Sequence, residues 1–196
     1  MCYNLNGDCM KVSIGVSSRH VHLKQEDLEK LFGKGYELKK AKEMTQPGQY
    51  ASTDFVTLKT YKNMIRHVRI VGPVRDYTQV EISKTDAHVL GLEPPVRDSG
   101  DLEGSAPITL VGPRGELSIE EGCIIADRHI HITPKQMEMY GFKGKEKVDV
   151  KLSGEKGGII SNVHLKVQDE AFFELHIDLD DANAHLVNQG DIGEIL

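Results

Sequence analysis

The sequence predicts a mainly β chain built as two tandem small domains by internal duplication, and three observations carry that reading. One word occurs twice in 196 residues: Ser18-Arg19-His20-Val21-His22-Leu23 returns as Asp127-Arg128-His129-Ile130-His131-Ile132. A second match follows later in each half, where residues 80–88 align without a gap on residues 175–183. Between these anchors the chain runs in short β-branched stretches separated by Gly and Pro, the texture of a small barrel or sandwich.

Taken in order, alternating or β-branched patterns predict strands at 11–16, 53–61, 65–71, 79–83, 108–111, 115–119, 147–152, 158–167 and 172–177. The two His words read as strands as well. Each is followed by a short helix that ends at glycine: Gln25 onward to Gly33, and Pro134 onward past Gly141. Gly72-Pro73, Gly112-Pro113-Arg114-Gly115 and the glycines from Gly154 to Gly158 supply the turns. The stretch 92–106, with Pro94-Pro95 and Asp98-Ser99-Gly100, reads as the linker. It sets expected domains of 1–104 and 105–196, with the C-terminal segment free to cross over.

Composition excludes several classes. A hydrophobic share of 39% and a charged share of 28% are those of an ordinary globular chain. No apolar run approaches the roughly 18 residues of a membrane span, and the first eleven residues lack a secretory hydrophobic stretch. A formal net charge of −6 argues against broad nucleic-acid binding. It leaves room for a local basic patch from Lys39, Lys40, Lys42, Arg66, Arg69 and Arg75, although such lysine runs mostly mark solvated faces. The three cysteines form no Cys-x-x-Cys pair, and Cys123 sits in an apolar run as a small hydrophobe. An odd cysteine count without a signal segment favours a reducing cytoplasm.

The chemistry lies in the repeated word. Side chains two apart on a strand share a face, so each His-x-His pair offers two imidazoles to one spot. Neutral imidazole is a ligand for zinc and other transition metals. In the second match Glu81 falls opposite His176, and both are ligand types. Each half therefore offers three ligands: His20, His22 and Glu81, then His129, His131 and His176. Three protein ligands with an open position describe a catalytic rather than a structural zinc site. His67, His88, His164 and His185 have no repeated partner and are read as ordinary surface or core residues. Arg75 lies across a tight turn from Glu81. Spacing alone reads it as a structural ion-pair partner; beside a metal, its planar fork would suit phosphate or carboxylate.

The blocks running from Ile14 through the first His word, Gly72-Pro73-Val74-Arg75 through Glu81-Ile82-Ser83, the second His word, and Leu175-His176-Ile177-Asp178, in this order, resemble the PduL-type phosphate acyltransferases. The resemblance implies two β-barrel domains capped by short helices and a di-zinc active site between them. It also implies interconversion of a short-chain acyl-CoA (propanoyl-CoA or acetyl-CoA) plus phosphate with acyl phosphate plus coenzyme A. By matching positions, His20, His22 and Glu81 hold one zinc and His129, His131 and His176 the other, with Arg75 on phosphate. Ser17, Arg19, Lys42, Arg69 and Asn183 match positions associated with coenzyme A contacts. Direct attack of phosphate on the acyl carbonyl is the expected mechanism; an acyl-enzyme at Ser99 or Cys123 would contradict it.

The partners implied are acyl-CoA and phosphate, with no nucleic acid and no membrane, and a homodimer among the assemblies compatible with the reading. Relatives that enter bacterial microcompartments carry an N-terminal amphipathic helix. The segment Met1 to Met10 has Gly and Asn where such a helix needs good formers, so a cytoplasmic enzyme of propanediol degradation or acetate metabolism is expected. Two readings from other classes stand beside it: a zinc-dependent acyl-CoA hydrolase, and a non-enzymatic metal-binding module.

Overall fold

The computed structural model describes residues 10–196. Its strands are β1 (Met10–Ser17), β2 (His20–His22), β3 (Lys40–Glu43), β4 (Tyr50–Lys59), β5 (Met64–Gly72), β6 (Gln79–Glu81), β7 (Val96–Arg97), β8 (Ala106–Val111), β9 (Glu116–Ala126), β10 (His129–Ile132), β11 (Lys147–Leu152), β12 (Gly158–Val167), β13 (Glu174–Asp178) and β14 (Ile192–Ile195). Four short helices intervene: α1 (Gln25–Phe32), α2 (Lys84–Leu90), α3 (Pro134–Met139) and α4 (Leu179–His185). The expectation about an N-terminal helix falls almost wholly on residues 1–9, outside the described residues, as do Cys2 and Cys9.

The strands close into two six-stranded rings, so the mainly β, twin-barrel expectation holds. One ring runs β1-β13-β10-β12-β11-β14. The other runs β9-β6-β2-β5-β4-β8 and closes because β8 pairs with both β4 and β9. Read in that order the two rings have the same sequence of parallel and antiparallel pairings. The His strand is antiparallel to the third-ligand strand (β10 to β13, β2 to β6) and parallel to the strand on its other side (β12, β5). Closure leaves no open edge within either ring.

The expected boundary at 104/105 is not where the chain divides. The compact units are residues 18–126 on one hand, and residues 10–17 with 127–196 on the other. The reason is an exchange of strands. β1 precedes the first His word in sequence yet pairs with β13 and β14. β9 precedes the second His word yet pairs with β6 and β8. Of the expected halves, the first lends β1 to the second ring and the second lends β8 and β9 to the first, so what crosses is the leading part of each half rather than the C-terminal segment.

Each barrel has its own core. Val12, Ile14, Ile130, Ile132, Phe142, Val150, Leu175 and Ile177 fill one, and Val21, Leu23, Leu28, Leu31, Leu58, Ile70, Val80 and Leu110 fill the other. The residue between the two histidines of each word, Val21 or Ile130, is fully buried. Strand alternation therefore puts the histidines on the opposite face from the core residue between them.

The helices are set by their caps. Ser83 and Asp86 close a capping box on α2, and Thr133 and Gln136 do so on α3, which has Pro at its start. Asp178 accepts from the Asp181 amide to cap α4. α2 and α4 begin inside the matched segments 80–88 and 175–183 and run past them, just after the expected strands 79–83 and 172–177, where no element was expected. The Ser-x-x-Asp and Asp-x-x-Asp spacings were the available signal.

Candidate metal centres

Both predicted triads form. In the barrel of residues 18–126, His20, His22 and Glu81 bring ligand atoms within 4.8 Å of one another. The antiparallel register sets His20 opposite Glu81 and His22 opposite Gln79, so four side chains make a square on one face. Each histidine is turned by a backbone carbonyl: His20 Nδ1 donates to Ser18 O at 2.9 Å, and His22 Nδ1 to Val71 O at 3.1 Å. That leaves the two Nε2 atoms to face Glu81, at 3.4 Å from His20 and 4.0 Å from His22. A carbonyl on one ring nitrogen, with the other turned toward a second ligand type, is the arrangement of a metal-binding histidine.

The same square recurs in the other barrel. His129 stands opposite His176 and His131 opposite Glu174, and the three histidines again lie within 4.8 Å. His129 Nδ1 donates to Asp127 O at 2.8 Å, the position matching Ser18, while His131 Nδ1 donates to the Gln168 side chain at 2.6 Å. The Nε2 atoms of His129 and His131 are 3.2 Å apart. Nitrogens on one tetrahedral zinc, each bonded at roughly 2.0–2.1 Å, are spaced about 3.3 Å from one another, so the donor set fits such an ion. Burial pushes the His129 imidazolium pKa down to about 3 and that of His131 down to about 4, the latter assisted by nearby His176. Both rings are neutral at pH 7, the form that binds metal.

Arg75 is wired to the first triad. Its Nη1 donates to Tyr77 Oη at 2.9 Å and to Ser99 Oγ at 3.2 Å. Gln79 Nε2 in turn donates to Ser99 Oγ at 2.8 Å and to Glu81 Oε1 at 2.5 Å, and Gln79 Oε1 accepts from the Gly100 amide. The structural ion pair to Asp76 or Glu81 that spacing alone favoured is replaced by this hydroxyl and amide relay. The guanidinium keeps its charge uncompensated by any of these neutral contacts, which suits an anion.

The other candidate positions are placed as follows. Arg69 lies beside His20 across the parallel β2/β5 pair, with its guanidinium 4.5 Å from the Phe55 ring centroid and a hydrogen bond to Ser52 O. Lys42 is exposed on β3. Arg19 forks onto Asp86, Nη2 to Oδ1 at 2.8 Å and Nε to Oδ2 at 2.9 Å. Its counterpart Arg128 binds Asp181 at 2.9 Å, so this arginine ties each His word to the helix after the third ligand. Ser17, half-buried at the end of β1, and Asn183, exposed on α4, belong to the barrel of His129.

Residue spacing missed Gln79, Glu174, Gln168 and Tyr77, and the place of Ser99 between Arg75 and Gln79. Gln79 and Glu174 carried a signal, each two residues before a third ligand and therefore on its face. Gln168 and Ser99 come from loops and carried none. Among the histidines set aside, His164 stands beside His129 across β10/β12, with its Nε2 3.1 Å from Asp127 Oδ2. Cys123 is fully buried and its thiol pKa is pushed up to about 12 by burial, which removes it as a nucleophile.

Comparison with known proteins places the chain in a family. The family model described as phosphate propanoyltransferase matches residues 13–188. A phosphate propanoyltransferase of Thermotoga maritima is 53% identical over 92% of this chain and 87% of its own length. Those of Lachnoclostridium phytofermentans and Rhodopseudomonas palustris are 47% and 42% identical, over 94% and 96% of this chain and 87% and 83% of theirs. The matched span takes in both triads, Arg75 and the strands that carry them; the chain belongs to the phosphate propanoyltransferase family.

Proposed function

We propose that this protein is a phosphate acyltransferase that interconverts a short-chain acyl-CoA and phosphate with acyl phosphate and coenzyme A, with a zinc ion at each triad. The observation that carries the reading is the relay that joins Arg75 to a His-His-Glu triad through Ser99 and Gln79. It pairs an anion-binding fork with a catalytic type of metal site in one barrel. When bound there, zinc supplies Lewis acidity and favours the thiolate over the thiol.

The chain's own residues do the rest. Arg75 receives phosphate and fixes it, which replaces part of its hydration and orients one oxygen for attack. That oxygen forms a bond to the acyl carbonyl carbon as the carbon–sulfur bond breaks. The sulfur leaves with the electron pair as the CoA thiolate, and the acyl group leaves as acyl phosphate. No acyl-enzyme is needed: Cys123 is buried and unionised, and Ser99 Oγ accepts from Arg75 and Gln79. Arg69 and Lys42, with Ser17, Arg19 and Asn183, are the proposed contacts for coenzyme A. Among the described residues no helix is long and apolar enough to cross a membrane, and acyl-CoA and phosphate are the proposed partners. The proposed setting is a cytoplasmic enzyme of propanediol degradation or acetate metabolism.

The test follows CoA release and acyl phosphate together on propanoyl-CoA and acetyl-CoA as phosphate is varied, with metal content measured on the same sample. Equal appearance of both products, dependent on phosphate, is expected. CoA release indifferent to phosphate would make the protein a hydrolase, and bound metal without turnover would make it a binding module.

A further inference from the structure

We infer that the fourth corner of each His-x-His square, Gln79 in one barrel and Glu174 in the other, is a positioning residue that fixes the aim and charge of the third metal ligand. The inference rests on the reading of both triads as zinc sites. Cross-strand register gives the corners their place: Gln79 stands opposite His22, and Glu174 opposite His131. Both corner residues are buried, at 0% and 2% exposure. A polar side chain held there is costly unless its partners are built in.

The partners are complementary. Glu81, a carboxylate ligand, accepts from the Gln79 amide at 2.5 Å. His176, an imidazole ligand, donates its Nε2–H to Glu174 Oε2 at 2.8 Å, which leaves Nδ1 as the ring nitrogen free for metal. A carboxylate ligand is thus held by a neutral donor, and a neutral ligand by a carboxylate acceptor. Each square carries one carboxylate, inside the ligand set in one barrel and just behind it in the other. A carboxylate behind an imidazole fixes its tautomer and raises its basicity.

The strand beside the second square makes room for this pair. Gly15 on β1 lies against it, and a Cβ at that position would meet His176 Cδ2 at 2.7 Å and Glu174 Oε2 at 3.0 Å. The matching place in the other barrel is Ile124, which stands opposite Glu81 as Gly15 stands opposite His176. A side chain is accommodated where the third ligand is a carboxylate held by glutamine, and is not where it is an imidazole held by glutamate.

The experiment measures zinc affinity of the full-length chain by competition with a chromophoric chelator, in two single-site backgrounds. His20→Ala keeps the second triad and His131→Ala keeps the first. Glu174→Gln should weaken zinc by about 10- to 100-fold in the His20→Ala background and leave the His131→Ala background unchanged. Gln79→Met should do the reverse. Unchanged affinity in the matching background overturns the inference, and so does equal weakening in both, which marks a general loss of fold.

Cobalt(II) absorption separates a positioning residue from a ligand. Glu174→Gln should keep the intensity of the cobalt bands once the site is saturated. A collapse of those bands at saturation would make Glu174 a ligand itself and overturn its positioning role. Two zinc ions on the wild-type chain with no effect of either variant sinks this inference alone, whereas a wild-type chain that binds no zinc sinks the reading of the triads as well.

Discussion

In the barrel of residues 18–126 the His-x-His pair faces Glu81, and Arg75 is tethered to that square through Ser99 and Gln79. In the barrel completed by β1 the pair faces His176, backed by Glu174. The gap-free frame that aligns Arg69 with His164 and Glu81 with His176 puts Glu170 where Arg75 stands. Ring order, register and the carbonyls behind the first histidines are shared. The differences lie in the third ligand, the residue beside it and Arg75, together with Gln168 in place of the Val71 carbonyl behind the second histidine and Gly15 in place of Ile124. Duplication therefore supplied two equivalent triads, and substitution at a few positions left Arg75 tied to the first, with Glu170 at the matching place in the second. On the proposed function, the first triad is the one that receives phosphate, and the second holds its ion with the carboxylate of Glu174 kept behind the ligands.

The harshest way to break this comparison is to delete a ligand. His131→Ala should cost one zinc and take turnover to background, because two remaining protein ligands hold a catalytic metal weakly. Metal analysis and CoA release on one sample check it. Full activity with both ions retained would refute the equivalence of the two squares.

A smaller change tests the asymmetry itself. Arg75→Lys keeps the charge but loses the fork. With charged hydrogen bonds each contributing about 1.5–3 kcal/mol, the apparent phosphate requirement should rise roughly 10- to 100-fold with zinc content unchanged. An unaltered phosphate response returns Arg75 to a structural role.

Much of this was legible because both signals are local. The His-x-His pairs and the alternating runs obey the two-residue period of strands, so ligand pairs and core positions such as Val21, Ile130 and Leu175 read directly. The third ligands, Glu81 and His176, were found only because the halves align without a gap. Strand exchange was not legible: nothing in residues 10–17 says which ring they join, since Val12 and Ile14 would fill either core. The boundary was misplaced because Pro94-Pro95 and Asp98-Ser99-Gly100 look like a linker, whereas the chain divides just before each His word. α2 and α4 were hidden by strand-like segments that run straight into their caps, and β3 by its charge, since all four of its residues are exposed.

The role of β1 in the second square can be sharpened by one methyl group. Gly15→Ala puts a Cβ into the space of His176 and Glu174, so that one of the two must move. Zinc at the second triad should weaken by about 10-fold or more while the first is unaffected, the size expected when a residue behind a ligand is disturbed. Chelator competition in the same single-site backgrounds reads it. Equal affinity would show that the pair relaxes without cost.

The mildest test uses protons in place of metal. In the metal-free protein His129 and His131 protonate only at about 3 and about 4, against about 6.5 in the unfolded chain. Below pH 6.5 the unfolded state therefore binds more protons, and stability falls as pH drops through the window toward 4. Asp178 and Asp181, raised chiefly by burial, act in the opposite sense, since they take up protons earlier in the folded state than in the unfolded one. Their influence grows as pH nears the usual carboxylate range, so the histidine effect is clearest between pH 7.5 and 5. There it should amount to about 1–2 kcal/mol for each histidine, read as a lower urea midpoint at pH 5 with metal stripped. His131→Gln should remove part of that slope by removing one of the two groups. A slope unchanged by the substitution would mean that His131 does not stay neutral in the fold, and the second square would lose its distinction as a set of three neutral ligands.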